Sequence, residues 1–383
     1  MKRMIGQDLG DADGILLVGA SERNADLYYA TGFLAPDPFA FVATAKESLM
    51  LVNDMEFDRA KAQATVDSVH SFSQFAEQVR RDSSEKPGFN AVLLGLLRKM
   101  EFRHVRGSGD FPLSLADTLR AEDIRLDVTD SSLFPQRALK TDTELDHICE
   151  AIKAAEKGMQ TAIDLISAAD IHDRQLYVDG ELLTSERVRQ AVHHTLLDED
   201  HVAERTIIAC GDAACDPHQA GSGALNAGEA IVIDIFPRST SYGYFGDITR
   251  TVVKGAANPE LQRLYETVKQ AQDLGLGAIR TGAHGAELHR AVQAFFADNG
   301  YETGIRRGRN QGFFHGTGHG LGLEIHEAPK ISSGDNILQA KQVVTVEPGL
   351  YYTGLGGVRI EDVVVVRDDG CENLTRFPKV LGV

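Results

Sequence analysis

The sequence predicts a small α/β domain over residues 1–136, followed over 137–383 by an α+β domain that runs one pattern of helices and strands twice. Three observations lead to this. The 383 residues exceed what one ordinary hydrophobic core organises, which points to about two domains. The first third alternates short apolar strands with helical segments. The remainder contains two apolar strands, Ile231–Asp234 and Val343–Glu347, that each end in a carboxylate and follow helices in the same order.

In the first domain, Ile15-Leu16-Leu17-Val18, Phe39-Ala40-Phe41-Val42-Ala43 and Leu49-Met50-Leu51-Val52 read as buried strands, the last closed by Asn53-Asp54. Residues 58–64 and 75–81 read as helices. Ser131 to Lys140 is a connector around Pro135, and the boundary falls near residue 137. Thr141 and Glu144 then form a capping box, which starts a long amphipathic helix running to about Ile166. A second helix is expected over Ser185–Leu197, with strands at 205–209, 230–236 and 248–253. The pattern restarts at Asn258, an N-cap followed by Pro259 at the first helical position, and that helix runs to about Ile279. Another helix over 286–297 and strands near Phe313, at 343–346 and at 358–366 complete the repeat. The order of elements, more than any sequence match, supports an internal duplication.

Composition narrows the function classes. Hydrophobic residues make up 43% and charged residues 25%, a globular balance. A formal net charge of −17 repels phosphate backbones and anionic lipid surfaces, so neither nucleic acid nor membrane is an expected partner. No apolar run approaches the length needed to span a bilayer. Met1 to Asp8 carries two basic residues with no apolar run behind them, unlike a secretory signal. Cys149, Cys210, Cys215 and Cys371 lack zinc-ribbon or redox-pair spacing. They read as reduced thiols of a cytoplasmic protein.

Four carboxylates stand where apolar strands should exclude them. Asp234 ends Ile231-Val232-Ile233, Asp247 opens Ile248–Val253, Glu347 ends Val343-Val344-Thr345-Val346, and Glu361 precedes Asp362 and Val363–Val366. An ionised carboxylate in such a run is costly unless it is paired or binds metal. For one acid alone, a salt bridge is the commoner explanation, and Arg250 and Arg359 stand nearby. Two arginines do not neutralise four acids, whereas two divalent cations do. Oxygen ligands with one imidazole suit manganese, cobalt or zinc.

The imidazole comes from His315-Gly316-Thr317-Gly318-His319-Gly320-Leu321-Gly322-Leu323-Glu324-Ile325-His326-Glu327. Gly316, Gly318, Gly320 and Gly322 disfavour the helix that a helical zinc-protease motif requires, and Gly316 occupies the position of its glutamate. The glycines do not match a dinucleotide fingerprint either. A lone histidine is more often a packing residue than a ligand, but three in one glycine-rich strand and loop favour a site. No G-x-S-x-G elbow and no P-loop occur, which removes support for a serine hydrolase or a nucleotide-binding protein.

Taken together these motifs resemble the pita-bread metallopeptidases, the family of methionine aminopeptidase, aminopeptidase P, prolidase and creatinase. The resemblance rests on Gly246-Asp247-Ile248-Thr249-Arg250-Thr251, His315–His319, Thr345-Val346-Glu347-Pro348-Gly349-Leu350-Tyr351 and Val358-Arg359-Ile360-Glu361-Asp362, and spans about residues 137–383. Asn24-Ala25-Asp26-Leu27-Tyr28-Tyr29-Ala30-Thr31-Gly32-Phe33 looks like part of a creatinase-type N-terminal domain. With Arg359–Asp362 present, the Xaa-Pro dipeptidase and aminopeptidase P branch fits better than methionine aminopeptidase. An intact ligand set argues against creatinase itself.

The resemblance implies a metal set of Asp234, Asp247, His319, Glu347 and Glu361 around two divalent ions, Mn2+ first and Co2+ or Zn2+ next. Asp247 and Glu361 would bridge the ions. Hydrolysis of a peptide bond beside proline would proceed by a hydroxide shared between them, with Glu347 also shuttling the proton. His218 and His326 would contact the substrate and its oxyanion, and His315 would hold the group after the cleaved bond. Arg359 would support Asp234 from outside the ligand set. His218 reads equally well as a turn residue after Pro217, and His193 and His194 read as a solvated helix face. The partner expected is a small peptide, and the assembly a homodimer.

The segment from Asp234 to Asp247 is two residues longer than the family's usual spacing, an even insertion that a hairpin tip absorbs without changing the face presented. Lys330 is the nearest cation for a dipeptide's free carboxylate, and reads equally as a surface lysine. A same-fold hydrolase of a small non-peptide amide, and a non-catalytic binding protein of the same fold, stand as alternatives.

Overall fold

The computed structural model describes residues 9–80 and 87–383. The reading of Met1 to Asp8, and the last residue of the helix expected over 75–81, fall outside the described residues. The chain divides between Arg137 and Ala138 into two compact units.

The first unit contains β1 (Gly14–Gly19), α1 (Ala25–Thr31), β2 (Phe39–Ala43), β3 (Ser48–Val52), α2 (Phe57–Gln63), β4 (Ser68–Ser71), α3 (Phe72–Arg80), α4 (Phe89–Lys99), β5 (His104–Ser108), α5 (Leu113–Ala121) and β6 (Arg125–Thr129). Its six strands form one sheet in the order β4-β3-β2-β1-β5-β6. The pairs around β2 are antiparallel, and the outer pairs are parallel. β2 and β3 are buried along their whole length, which their unbroken apolar sequence requires.

The Asn24–Phe33 motif has a local explanation. Asn24 caps α1 by accepting from the Leu27 amide, and Gly32 ends the helix at φ 62°, where an L side chain is strained. Asp26 points inward. It pairs with the guanidinium of Arg137 and accepts from Ser132 Oγ at 2.6 Å and the Leu133 amide at 2.7 Å. The connector after β6 is therefore fastened to α1 by a buried, fully bonded carboxylate.

The second unit runs α6 (Asp142–Ala168), β7 (Asp170–His172), β8 (Gln175–Val178), β9 (Glu181–Leu182), α7 (Ser185–Asp198), β10 (His201–Val202), β11 (Ile207–Cys210), β12 (Ile231–Ile235), β13 (Arg238–Ser239) and β14 (Ile248–Val252). It continues with α8 (Pro259–Ala278), α9 (Gly285–Asp298), β15 (Gly304–Arg306), β16 (Arg309–Gln311), β17 (Gly318–Gly320), β18 (Glu327–Ile331), β19 (Val343–Val346), β20 (Gly349–Tyr352), β21 (Gly356–Arg359), β22 (Asp362–Val366) and β23 (Cys371–Asn373). The capping box at Thr141 and Glu144 starts α6, and Asn258 with Pro259 starts α8. Each half is a helix pair on an antiparallel sheet. α6 and α7 cover β11-β12-β14, and α8 and α9 cover the sheet β18-β17-β19-β22-β23.

Period-2 alternation decides what each strand shows to each side. Ile231, Ile233 and Ile235 of β12, with Ile248 and Val252 of β14, join the core under α6 and α7. Val344 and Val346 of β19, Val364 and Val366 of β22, and Val358 and Ile360 join the core under α8 and α9. Asp234, Asp247, Thr249, Thr345, Glu347, Arg359 and Glu361 sit at the intervening positions, on the faces turned away from the helices. The two halves meet along those faces. The Glu361 amide donates to Thr249 O at 3.0 Å, and Thr251 Oγ1 and the Arg359 backbone bond each other at 2.9 and 3.0 Å.

Several sequence expectations need correction. Phe313 lies in a bend, not a strand. The nearby pairing is the β15–β16 hairpin, closed by the two-residue Arg307-Gly308 turn, which the periodicity does not register. The expected strand over 358–366 is two strands in different sheets, β21 and β22, with Ile360 and Glu361 at the break. The stretch between Asp234 and Asp247 does form the expected hairpin tip, with Arg238 bridging Phe245 antiparallel and the Gly246 and Ser239 amides donating to Pro237 O and Tyr244 O at 2.9 Å, and β13 within it also pairs with β10. His193 is half-buried and bonded to Thr206 Oγ1 at 3.1 Å, so only His194 belongs to a solvated face. All four cysteines are free. Among the described residues no helix is long and apolar enough to cross a membrane.

Arg250 is spent on the fold. It is 1% exposed, and its guanidinium donates to Asp362 Oδ1 and to the carbonyls of Thr249, Glu361, Phe377 and Pro378 at 2.6–2.9 Å. Five bonds match the five donors an arginine carries. Arg250→Met strands the buried Asp362 with one partner fewer and frees four carbonyls. The expected loss is about 3–5 kcal/mol, read as a lower urea midpoint at matched metal concentration.

Candidate metal centre

One strand and the ends of three others supply the acids. Asp234 is the fourth residue of β12, and its Cα pairs with Thr249 of β14. Asp247 immediately precedes β14, two residues before Thr249, and so shares the face of Asp234. Gly246 lets this corner reach α6, since a Cβ there would lie 2.4 Å from the Ala151 backbone. Glu347 follows β19, held by its amide to Thr317 O at 2.8 Å. Glu361 sits at the break between β21 and β22. Thr249 Oγ1 donates to Glu361 Oε2 at 2.7 Å, so one threonine registers an acid of the second half against the first.

His319 is the middle residue of β17. Gly318 permits this: a Cβ there would lie 1.9 Å from Thr345 O. The close approach lets Thr345 Oγ1 accept from the His319 amide at 3.1 Å. Nδ1 of His319 faces Gly320 O at 3.1 Å, which fixes it as the donor and turns Nε2 toward the acids. Nε2 lies 3.2 Å from Glu347 Oε1 and 3.9 Å from Asp247 Oδ2. Ligand atoms of Asp247, His319 and Glu361 all lie within 4.8 Å of one another.

The arginines divide their work. Arg250 serves Asp362, as described. Arg359 Nη2 donates to Asp234 Oδ2 at 2.7 Å, Nη1 to Tyr351 Oη at 3.0 Å and Nε to Thr249 Oγ1 at 3.3 Å. One arginine therefore touches one of the four acids. Three carboxylate oxygens, Asp234 Oδ1, Asp247 Oδ1 and Glu361 Oε1, are buried with no hydrogen-bond partner. Buried acceptors without donors are rare in folded proteins and require a reason. Carboxylate oxygens beside an imidazole nitrogen form the donor set of a divalent cation. The residues fit such an ion.

Electrostatics agree with the geometry. Burial, with the charges of Glu361 and Asp234, pushes Asp247 well above the usual carboxylate range. Burial, then the charges of Glu347 and Asp234, raises Glu361 to about 8. Burial also raises Asp234, outweighing its Arg359 partner. Glu347 goes the other way. Burial would raise it, but the hydrogen bond and charge of His319 prevail and lower it to about 2. His319 is raised to about 9 because its bond to Glu347 overcomes burial. The protein alone supplies too little positive charge for all four acids to ionise together.

The remaining histidines form a wall and a rim. His315 is engaged on both nitrogens, with Gly316 O at 2.8 Å and Tyr351 Oη at 2.9 Å, and burial lowers it to about 4. His326 is exposed, and its ring stands edge-on to that of His319 with centroids 4.4 Å apart. His218 is exposed after Pro217, and its amide faces Asp216 Oδ1 at 3.3 Å in a local turn. That turn is joined to the acids through Arg359 Nη2 and Pro217 O at 3.5 Å. Lys330 is an exposed residue of β18, in register opposite His319.

Tyr351, Thr249 and Thr345 carry no role in the sequence reading, yet they hold Arg359, Glu361 and His319. The available signal was spacing: Thr249 and Thr345 stand two residues from Asp247 and Glu347 on the same strand face.

A duplicated helix-on-sheet unit enclosing buried acids and one imidazole is the frame of a metallohydrolase. The sequence model of metallopeptidase family M24 matches residues 146–368, more than half of the chain, and the chain belongs to that family. It is 27% identical to the Xaa-Pro dipeptidase of Pyrococcus furiosus over 94% of this chain and 93% of that protein. Among solved structures it is similar to the Pyrococcus furiosus prolidase, with a TM-score of 0.78 and 26% identity over 97% of this chain and 98% of that one. It resembles the X-Pro aminopeptidase of Thermotoga maritima equally well, with a TM-score of 0.78 and 26% identity over the same shares. These full-length likenesses establish the pita-bread fold with its leading α/β domain.

Proposed function

We propose that the second unit hydrolyses the peptide bond between an amino-terminal residue and proline, using two divalent ions. The observation that carries this reading is the convergence of Asp247 and Glu361, each with a buried, unpartnered carboxylate oxygen, beside His319. Asp234, Asp247, His319, Glu347 and Glu361 would hold the ions. Manganese is the first choice, and cobalt and zinc suit the same donors. When bound, the ions polarise the scissile carbonyl and make water acidic near neutral pH.

The chain's own residues do the rest. Arg359 fixes Asp234 and leaves its second oxygen for a ligand. Glu347 accepts the proton released from water and passes it to the departing nitrogen, with Thr345 Oγ1 3.4 Å away to orient it. His326 and His218, on the rim, meet the carbonyl oxygen as charge develops on it. His315, held by Tyr351, lies against the proline side. Lys330 provides the cation for a free carboxylate if the substrate is a dipeptide. The free thiols accord with a cytoplasmic enzyme, and a homodimer is the expected assembly.

The test is turnover by manganese-loaded protein on an Xaa-Pro dipeptide, a longer Xaa-Pro peptide, the matching Xaa-Ala dipeptide and an N-acylated amino acid. The expected result is release of the first residue from Xaa-Pro substrates only. Equal cleavage of Xaa-Ala removes the proline requirement. Turnover confined to the N-acylated compound replaces the reading with a non-peptide amidase. Cleavage of the dipeptide alone, or of both lengths, separates dipeptidase from aminopeptidase.

A further inference from the structure

Lys140 and Glu327 form an ion pair at 2.6 Å with side chains only 2% and 7% exposed. A pair this buried is held at a desolvation cost, which makes it a candidate for a specific task rather than for stability. Lys140 is firmly placed. Its amide donates to Lys341 O at 2.8 Å, and the next residue is the Thr141 cap of α6. Glu327 directly follows His326, the rim histidine whose ring stands 4.4 Å from His319.

The strand pairing alone does not place His326. Between β17 and β18 the register shifts, with His319 opposite Lys330 but Gly320 opposite Glu327. Ala328 and Pro329 are the extra residues, so the ladder that fixes His319 loses its hold before it reaches His326. Other contacts take over. Glu327 Oε2 lies 3.5 Å from the Glu324 amide, across the turn that contains His326. The carboxylate lies over Gly322, where a Cβ would be 2.6 Å from Oε1. The Phe245 amide, two residues before Asp247, donates to Gly322 O at 2.9 Å. The turn from Gly322 to Glu327 is therefore held at one end by the segment leading into Asp247 and at the other by Lys140.

We propose that Lys140 is a positioning residue that acts through Glu327 to set the His326 ring against the metal centre. The proposal rests on the reading of His326 as the group that meets the substrate carbonyl oxygen. A displacement of about 1 Å in such a group costs on the order of 10²-fold in rate.

The test compares Lys140→Met, Glu327→Gln, the double variant and Lys140→Arg. The double variant removes both charges and so avoids stranding one of them. Three readouts are taken: the thermal midpoint, kcat and KM of manganese-loaded protein on an Xaa-Pro dipeptide, and the His326 ring 1H–13C resonance of metal-free protein. The resonance is assigned by its loss in His326→Asn. In the double variant the midpoint is expected near wild type, the His326 resonance moves, and kcat falls about 10- to 100-fold with KM changed less than threefold. Lys140→Arg recovers most of kcat. Wild-type kcat with an unmoved His326 resonance in the double variant overturns the proposal. If the double variant does not fold, Glu327→Gln decides by the same two readouts. If the wild-type protein cleaves no Xaa-Pro bond, the peptidase reading fails, and the resonance alone decides whether Lys140 places His326.

Discussion

Stripping divalent ions is expected to abolish peptide hydrolysis and lower the unfolding temperature, with manganese restoring both. The argument is electrostatic. Asp234, Asp247, Glu347 and Glu361 crowd into one buried volume that Arg359 alone among the nearby arginines enters. Asp247 and Glu361 are both pushed toward the protonated form by burial and by their neighbours' charge. A dication relieves that repulsion and satisfies oxygens that no donor reaches. Because the folded state alone assembles the ligands, binding contributes directly to folding. An ion at one hundred times its dissociation constant adds about 2.7 kcal/mol of stability per site. Thermal unfolding in chelator and in graded manganese, with metal analysis of the purified protein, measures the effect. An unchanged midpoint, full turnover in chelator and less than one equivalent of bound ion would together sink the metal centre.

Glu347→Gln is expected to lower kcat by about 10²–10⁴ while the fold is kept. Glutamine preserves shape, and the backbone anchor from the residue 347 amide to Thr317 O does not involve the side chain. What the substitution removes is a carboxylate that, with no ion in the site, His319 holds ionised against burial, down to about 2. An ionised carboxylate beside the reacting nitrogen has the lone pairs to take a proton and hand it on. The amide cannot take the proton at all. Steady-state rates, circular dichroism and bound metal, measured on one preparation, separate a lost proton carrier from a lost ligand. A folded Glu347→Gln protein with wild-type kcat would refute the proton-carrying role, whatever its metal content.

Much of the fold was legible because local rules agreed with one another. Thr141 with Glu144, and Asn258 with Pro259, mark the starts of α6 and α8 by satisfying exposed amides, a requirement that needs no tertiary contact. The buried strands β2 and β3 read as almost wholly apolar runs because both of their faces are covered, and β12 and β19 as apolar runs interrupted by Asp234 and Thr345. The strand expected over 358–366 misled because Val358, Ile360 and Val363 to Val366 look like one extended stretch despite Arg359, Glu361 and Asp362 among them, and nothing local shows that β21 and β22 join different partners. The pairing of β13 with β10 was hidden because it is contributed by residues far away in sequence.

By itself, the sequence determined which side chains are anomalous: acids ending or opening apolar strands, and histidines in a run too rich in glycine for a helix. Those choices are chemical, and burial makes them costly wherever the strands go. Tertiary structure decided which cation meets which acid. Arg250 and Arg359 look alike along the chain, yet one closes five bonds around Asp362 and the other faces Asp234. It also decided that Thr249 bonds Glu361 across 112 residues of sequence, and that Lys140 lies beneath Glu327. Strand alternation says which face a residue takes, but pairing between distant strands sets what stands opposite, and that exists only once the two halves have closed on each other.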